Sequence, residues 1–465
     1  MGAPSIQRLG EHMEGEVIVP GDPRYDDART VFTGGIDRRP AAIVRVANEA
    51  DVAHVVRTAA EADMELAVRS GGHSGAGHSV SEGGLVLDLS RMKALDIDVD
   101  GRTAWAGSGL TAGEYSVAAG AHGLATGFGD TGSVGVGGIT LGGGVGFLVR
   151  KHGLTIDDLL AADIVTADGT LRRVDHETEP DLFWAIRGGG GNFGVATRFR
   201  FRMHPLDTVM GGMLFLPATP ETITGFIAEA EAAPEELSTI ANVMPAPPMP
   251  FLSEEDQGRL VIMAMMVHAG PVEEGERAVA PFRALATPLA DLLRPMPYHE
   301  MYQPEEGDYH PIAAGHSMFV DRIERGVANS ILDHLEASTA MMRVAQLRVL
   351  GGAMARVPAD ATAFAHRSSR IMVNVAALYE GPQDAAMHEA WVEGFADALR
   401  QDDTGVYVNF LTDEGTERIR AAYPGPTWGR LAAIKARYDP TNLFCLNQNI
   451  PPAAETSGVS TSSSS

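Results

Sequence analysis

Residues 127–146, GFGDTGSVGVGGITLGGGVG, are half glycine, and the reading of that run decides the fold. Glycine at such density belongs either to a flexible linker or to backbone pressed against a ligand. Apolar residues recur between the glycines, at Val134, Val136, Ile139, Leu141, Val145, Phe147 and Leu148, as a buried segment needs and a disordered linker does not. Glycine also lets main chain approach something flat or charged and take positive φ. The run reads as a ligand cradle. A loop at 69–79, RSGGHSGAGHS, and a knot at 188–194, GGGGNFG, carry the same signature.

Working outward, the chain of 465 residues is long enough for two or three domains. Its hydrophobic share of 45% and charged share of 21% are those of a folded protein with cores. The net charge of −25 repels phosphate backbones and anionic lipid, so neither nucleic acid nor a membrane surface is an expected partner. Cys445 is the single cysteine, which excludes an internal disulfide framework and a Cys-rich metal site. No run of eighteen apolar residues stands out, and the N-terminus lacks a basic stretch followed by an apolar one. A cytoplasmic protein without a spanning helix is expected.

Before the long glycine run, AAIVRVANEADVAHVVRTAAEADMELAVRSGG (41–72) reads as strand, helix, strand. Asn48 suits an N-cap, Asp51 the first turn, and Val52, Val55 and Val56 form an apolar stripe at helical spacing. GGLVLDLS (83–90) and ADIVTADGTLRRVD (162–175) read as further strands, the latter a hairpin turning at Asp168-Gly169. A parallel unit followed by meandering strands is an α+β arrangement. After His204-Pro205 the pattern changes to strands mixed with helical stretches near 219–233, 271–287 and 383–400, a second α+β domain with helices over one face of its sheet. The expected division is residues 1–205 (core about 36–205), 206–404, a return to the first domain at 405–452, and a Ser-rich tail at 453–465 that is expected to be disordered.

Three common ligand motifs fail. No G-x-x-x-x-G-K-[ST] is present, a G-x-G-x-x-G forced onto Gly142 and Gly144 lacks its strand–turn–helix context, and no G-x-S-x-G makes a nucleophile elbow. His73 and His78 lie five apart on a Gly-rich loop without an acidic partner, a poor metal site. His73 is therefore either structural or a reactive imidazole facing a cofactor.

RSGGHS, GSVGVGGITLGGGVGFL, HGLTIDDLLAADIVTADG, DLFWAIRGGGGNFGVAT and YDPTNLFCLNQNIPP occur in that order. Together they resemble the berberine bridge enzyme-like FAD-linked oxidases of the vanillyl-alcohol oxidase (PCMH-type) fold group, from about residue 36 to 452. The resemblance implies an FAD domain built from both ends of the chain and a middle domain whose antiparallel sheet covers the flavin. It also implies cofactor contacts from Arg69, Ser70, Gly71, Gly72, Ser74, Thr131, Gly132, Val134, Gly137, Gly138, Leu141, Gly142 and Gly144. Gly191, Asn192, Gly194, Val195, Asn447 and Asn449 complete the implied set. Neither wrapping region contains a lysine, so a diphosphate there would be neutralised mainly by amide dipoles.

By the same resemblance His73 is the residue bonded to the flavin. Relatives with a second bond use a cysteine where this chain has Thr131, so a single linkage through His73 is expected. Ile139 stands where relatives often carry histidine. Val134 matches a position where valine admits dioxygen. The family's Y-x-N motif is Tyr407-Val408-Asn409 here, and Tyr407 would act as base if its neighbours lower its pKa; a structural role for it is the alternative. Gln346 and Arg348 share one strand face, Asn374 is a polar residue in an apolar strand, and His310 and His316 lie in an apparent loop; these are substrate-pocket candidates. The implied activity is oxidation of a small, alkaloid-like or secondary-metabolite alcohol or amine, with dioxygen reduced to hydrogen peroxide and no metal. The rival readings are a flavin dehydrogenase using another acceptor and a flavin protein without turnover.

Overall fold

The computed structural model describes residues 9–302 and 309–454. The tail expected to be disordered lies outside these residues from 455 onward. The first sheet has four strands in the order Glu16–Ile18, Ala42–Arg45, Leu85–Asp88, Leu66–Arg69. Its last three strands run parallel. The helix Glu49–Ala62 forms as the spacing predicts. The Asn48 side chain accepts the Asp51 N–H at 3.0 Å, satisfying one of the donors a helix start leaves open. Val52, Val55 and Val56 are completely buried.

A second, antiparallel sheet orders Leu95–Asp98, Thr103–Gly107, Val195–Arg202, Leu159–Val165 and Leu171–Val174. The hairpin turns at Asp168-Gly169, where Gly169 takes φ +71°. Within the long glycine run, Val136–Leu141 forms a short helix that the glycine content gave no reason to expect.

The middle of the chain builds an antiparallel sheet of eight strands. Its central order is Thr208–Pro217, Leu260–His268, Leu237–Pro245, Met342–Val349, Ile371–Tyr379, Ile312–Val320. Alternation along these strands sends Ala241, Leu347 and Val375 into a core shared with the helices Pro220–Ala232, Arg325–Ala337 and Ala385–Leu399. The opposite face carries Asn242, Gln346, Asn374 and Ser317 in one row across four strands. One expectation is corrected here. His316 lies in the strand Ile312–Val320 and not in a loop. The apolar stretch after Val349 turns at Gly351 and Gly352, both at positive φ, into a short helical turn, Ala353–Arg356.

Candidate active site

Five segments far apart in sequence wall one cavity of about 410 Å³. They are residues 70–79, 129–145, 190–196, 407–411 and 444–448, so both ends of the chain build it. The first two touch backbone to backbone. A Cβ on Gly71 would lie 2.3 Å from the Gly135 nitrogen, and one on Gly135 would lie 2.2 Å from the Gly71 nitrogen. Only glycine permits that approach.

Of the residues expected to hold a cofactor, Ser70, Gly71, Gly72, His73, Ser74, Thr131, Val134, Gly137, Gly138, Leu141, Gly191, Asn192, Gly194, Val195 and Asn447 are in the wall. Gly132, Gly142, Gly144 and Asn449 do not line it. Gly144, at φ +80°, leaves room for Thr155, whose Oγ1 a Cβ would meet at 1.9 Å. Arg69 is buried and turned elsewhere: its Nη2 lies 2.9 Å from Asp88 Oδ2 and donates to the Ala28 carbonyl at 2.6 Å. Among the described residues no Lys or Arg side chain lines the wall.

Two buried groups tie the C-terminal return to the glycine knot at 188–194. Lys435 Nζ donates to the carbonyls of Asn192 and Phe444 at 2.7 and 2.9 Å and to Asp439 Oδ2 at 2.6 Å. The Asn192 side chain donates to the carbonyls of Gly189 and Gln448 and accepts from the Ile450 N–H.

Tyr407 and Asn409 both line the cavity, but the lowering of the Tyr407 pKa on which a base role would depend does not occur. Its oxygen accepts from the N–H groups of Gly144 and Val145 at 3.0 and 3.2 Å and from Asn409 Nδ2 at 2.9 Å. These donors favour a phenolate, yet complete burial outweighs them and raises the pKa. Tyr407 stays a phenol that clamps the glycine run.

Asp130, which nothing in its local sequence marks, is the acidic side chain in the wall among the described residues. Its Oδ2 lies 2.5 Å from Arg348 Nη2, and its Oδ1 accepts from Thr131 Oγ1 at 3.2 Å. Gln346 Oε1 accepts from the Arg348 guanidinium, and Gln346 Nε2 donates to Asn242 Oδ1 at 2.9 Å. Arg348 also lies over the Phe410 ring, 5.2 Å from its centroid. Gln346 and Arg348 therefore reach the cavity through Asp130 and Phe410, while Asn374 stands beside Gln346 in the row. His316 is in neither place. It pairs with Glu414 at 3.3 Å beside a separate small cavity with Arg400 and Arg418. His310 is exposed, near the Phe32 carbonyl. His78, in the wall, is held to a pKa of about 4 by burial and by Arg38.

Residues 40–175 match the family described as FAD binding domain, and residues 406–451 match that described as Berberine and berberine like. (R)-6-hydroxynicotine oxidase of Paenarthrobacter nicotinovorans is 30% identical over 95% of this chain and 97% of its own length. This chain belongs to the berberine bridge enzyme-like FAD-linked oxidoreductases. Xylooligosaccharide oxidase of Thermothelomyces thermophilus is 29% identical, covering 91% of this chain and 89% of that one. The crystal structure of 6-hydroxy-D-nicotine oxidase from Arthrobacter nicotinovorans superposes with a TM-score of 0.86 at 27% identity, over 97% and 100% of the two chains.

The residues present fit FAD. The cavity is of cofactor size, its glycine-rich wall offers backbone N–H groups to a diphosphate, and it closes on the apolar Val134, Leu141, Val145 and Phe410. Asn447 Oδ1 is buried in that wall with no hydrogen-bond partner among the described residues, as an acceptor for a bound ring N–H would be. Ser70, Gly71, Gly72 and Ser74 would wrap the cofactor from one side, Gly137 and Gly138 from another, and Asn192 and Asn447 from the C-terminal return.

Proposed function

We propose that this enzyme oxidises a small organic alcohol or amine, alkaloid-like or from secondary metabolism, with FAD bonded once through His73 and dioxygen as electron acceptor. The observation that carries the reading is His73 itself. Its imidazole stands in the cavity wall, stacked on Phe32 at 4.1 Å and joined to Ser133 Oγ at 2.9 Å. Across the same wall Thr131 presents a hydroxyl, too weak an acid to serve as the nucleophile a thiol would be.

When bound, the flavin supplies a two-electron acceptor. This chain's residues supply position and a proton acceptor. Asp130, anchored by Arg348, is placed to take the proton of a substrate hydroxyl or amine at the cavity wall. Tyr407, a buried phenol, orients the Gly144-Val145 backbone through the hydrogen bonds it accepts. Val134 keeps its part of the wall small, which supports access by dioxygen.

The test is anaerobic mixing of the holoenzyme with candidate alcohols and amines, followed by air. Bleaching of the flavin band, fast recovery in air and one hydrogen peroxide per turnover are expected. Bleaching with slow recovery means a dehydrogenase; no bleaching with any candidate supports a flavin protein without turnover.

A further inference from the structure

The loop that carries His73 and the loop that carries Ser133 are locked together. Gly71 and Gly135 meet backbone to backbone, and Gly71 also presses on the Ser133 carbonyl, which a Cβ would approach to 3.0 Å. Ser70 Oγ donates to the Ser108 carbonyl at 2.6 Å and accepts from the Gly137 N–H at 3.3 Å. That frame brings Ser133 Oγ to 2.9 Å from His73 Nε2, while Phe32 lies stacked on the imidazole face at 20° between the planes. Ser133 itself is not part of the cavity wall, whereas His73 is.

We propose that Ser133 is the positioning residue for covalent attachment of the flavin: by engaging Nε2 of His73 it directs the new bond to Nδ1. The proposal rests on the reading that His73 carries the cofactor. With the serine oxygen accepting the Nε2–H, the other ring nitrogen holds its lone pair in the ring plane, as a nucleophile must. The bond that forms joins Nδ1 to the carbon of the flavin's ring methyl. The bond that breaks is one methyl C–H, whose proton leaves to solvent and whose electron pair enters the flavin ring. As Nδ1 bonds to carbon, the imidazole becomes cationic, and Ser133 Oγ accepts a strengthened hydrogen bond from Nε2–H until that proton is released. Dioxygen then takes the electron pair with two protons, leaving as hydrogen peroxide and restoring the oxidised flavin. Ser133 thus acts twice through His73, first on ring orientation and then on developing charge, without touching the cofactor.

The experiment compares the purified full chain with Ser133→Ala and Ser133→Thr. Each is incubated with FAD in air and quenched in acid at intervals. Flavin retained by the precipitate and fluorescent in a denaturing gel measures attachment, and total flavin before quenching measures binding. Wild type and Ser133→Thr should retain their flavin. Ser133→Ala should bind the same total but attach it roughly ten- to a hundredfold more slowly, the effect of losing a hydrogen bond to a charged group. Peptide mapping of the wild type should place the bond at Nδ1. Attachment by Ser133→Ala at the wild-type rate, a bond at Nε2, or loss of all flavin binding in Ser133→Ala would overturn the proposal. Release of flavin by the wild type in acid would overturn the His73 reading instead.

Discussion

Lys435 Nζ lies 2.6 Å from Asp439 Oδ2, and neither side chain has any exposed surface. The lysine also donates to the Asn192 and Phe444 carbonyls, and Asp439 accepts the N–H groups of Leu443 and Phe444 at 2.8 and 2.9 Å. The ion pair therefore fixes two stretches of cavity wall that are some 250 residues apart. Burial pulls the Lys435 pKa down, and Asp439 opposes that pull.

Removing one partner leaves a buried charge unanswered. Lys435→Met should cost about 3–5 kcal/mol, read as an earlier denaturant midpoint and as flavin lost on mild heating. Lys435→Met with Asp439→Asn should recover part of that loss, because the second change removes the stranded charge while its amide oxygen still accepts one of the Leu443 and Phe444 N–H groups. A single Lys435→Met protein as stable as wild type would show that the pair does not hold the return in place.

Asp130 and Arg348 make the second test. Asp130→Asn keeps the size of the side chain and removes its capacity to take a proton. Substrate-driven flavin reduction should slow by about a hundredfold or more, the usual scale for a positioned base, with the flavin still bound. Reduction within a few-fold of wild type would remove Asp130 from the proton's path.

Tyr407 should behave differently. Tyr407→Phe leaves the Gly144 and Val145 N–H groups without their acceptor inside a buried site, at about 1–3 kcal/mol. The expected result is a lower unfolding midpoint and weaker flavin retention, with the reduction rate and its pH profile close to wild type. A large fall in reduction rate at unchanged stability would instead make Tyr407 the base.

Much of this was legible where neighbours in sequence are also neighbours in space. Asn48, Asp51 and the valine stripe are such a case, as are the Asp168-Gly169 turn and the backbone cradle at 70–74. Arg69 misled because its partner sits on the adjacent parallel strand, in register with it at Asp88; alone, an arginine beside a glycine pair looks like a phosphate ligand. Asp130 went unread because Arg348, which gives it meaning, lies 218 residues away. The strand Ile312–Val320 hid behind small residues, IAAGHSMFV, whose pairing with Ile371–Tyr379 decides their conformation, since intrinsic strand preference yields to context. The helix Val136–Leu141 was hidden by the glycines whose bare backbone lets it pack against Ser70.

Acid should act on the fold through a buried histidine. His152 stacks on His204 at 3.6 Å between ring centroids, and His204 is joined to Asp158 Oδ1 at 2.8 Å. Burial first, then His204 and Lys151, hold the His152 pKa at about 3, against about 6.5 in an unfolded chain. Above that unfolded value neither state binds the proton, and the neutral ring costs nothing. As pH falls from about 6.5 toward 3, the unfolded chain takes up a proton that the folded one refuses, so stability declines across that window. Burial also raises the pKa of Asp158, which acts in the opposite direction, so the comparison must be made between variants at equal pH. His152→Phe keeps a ring against His204 and removes the titration. Its unfolding midpoint should fall less than the wild type's between pH 6.5 and pH 4; parallel declines would show that His152 does not set the acid sensitivity.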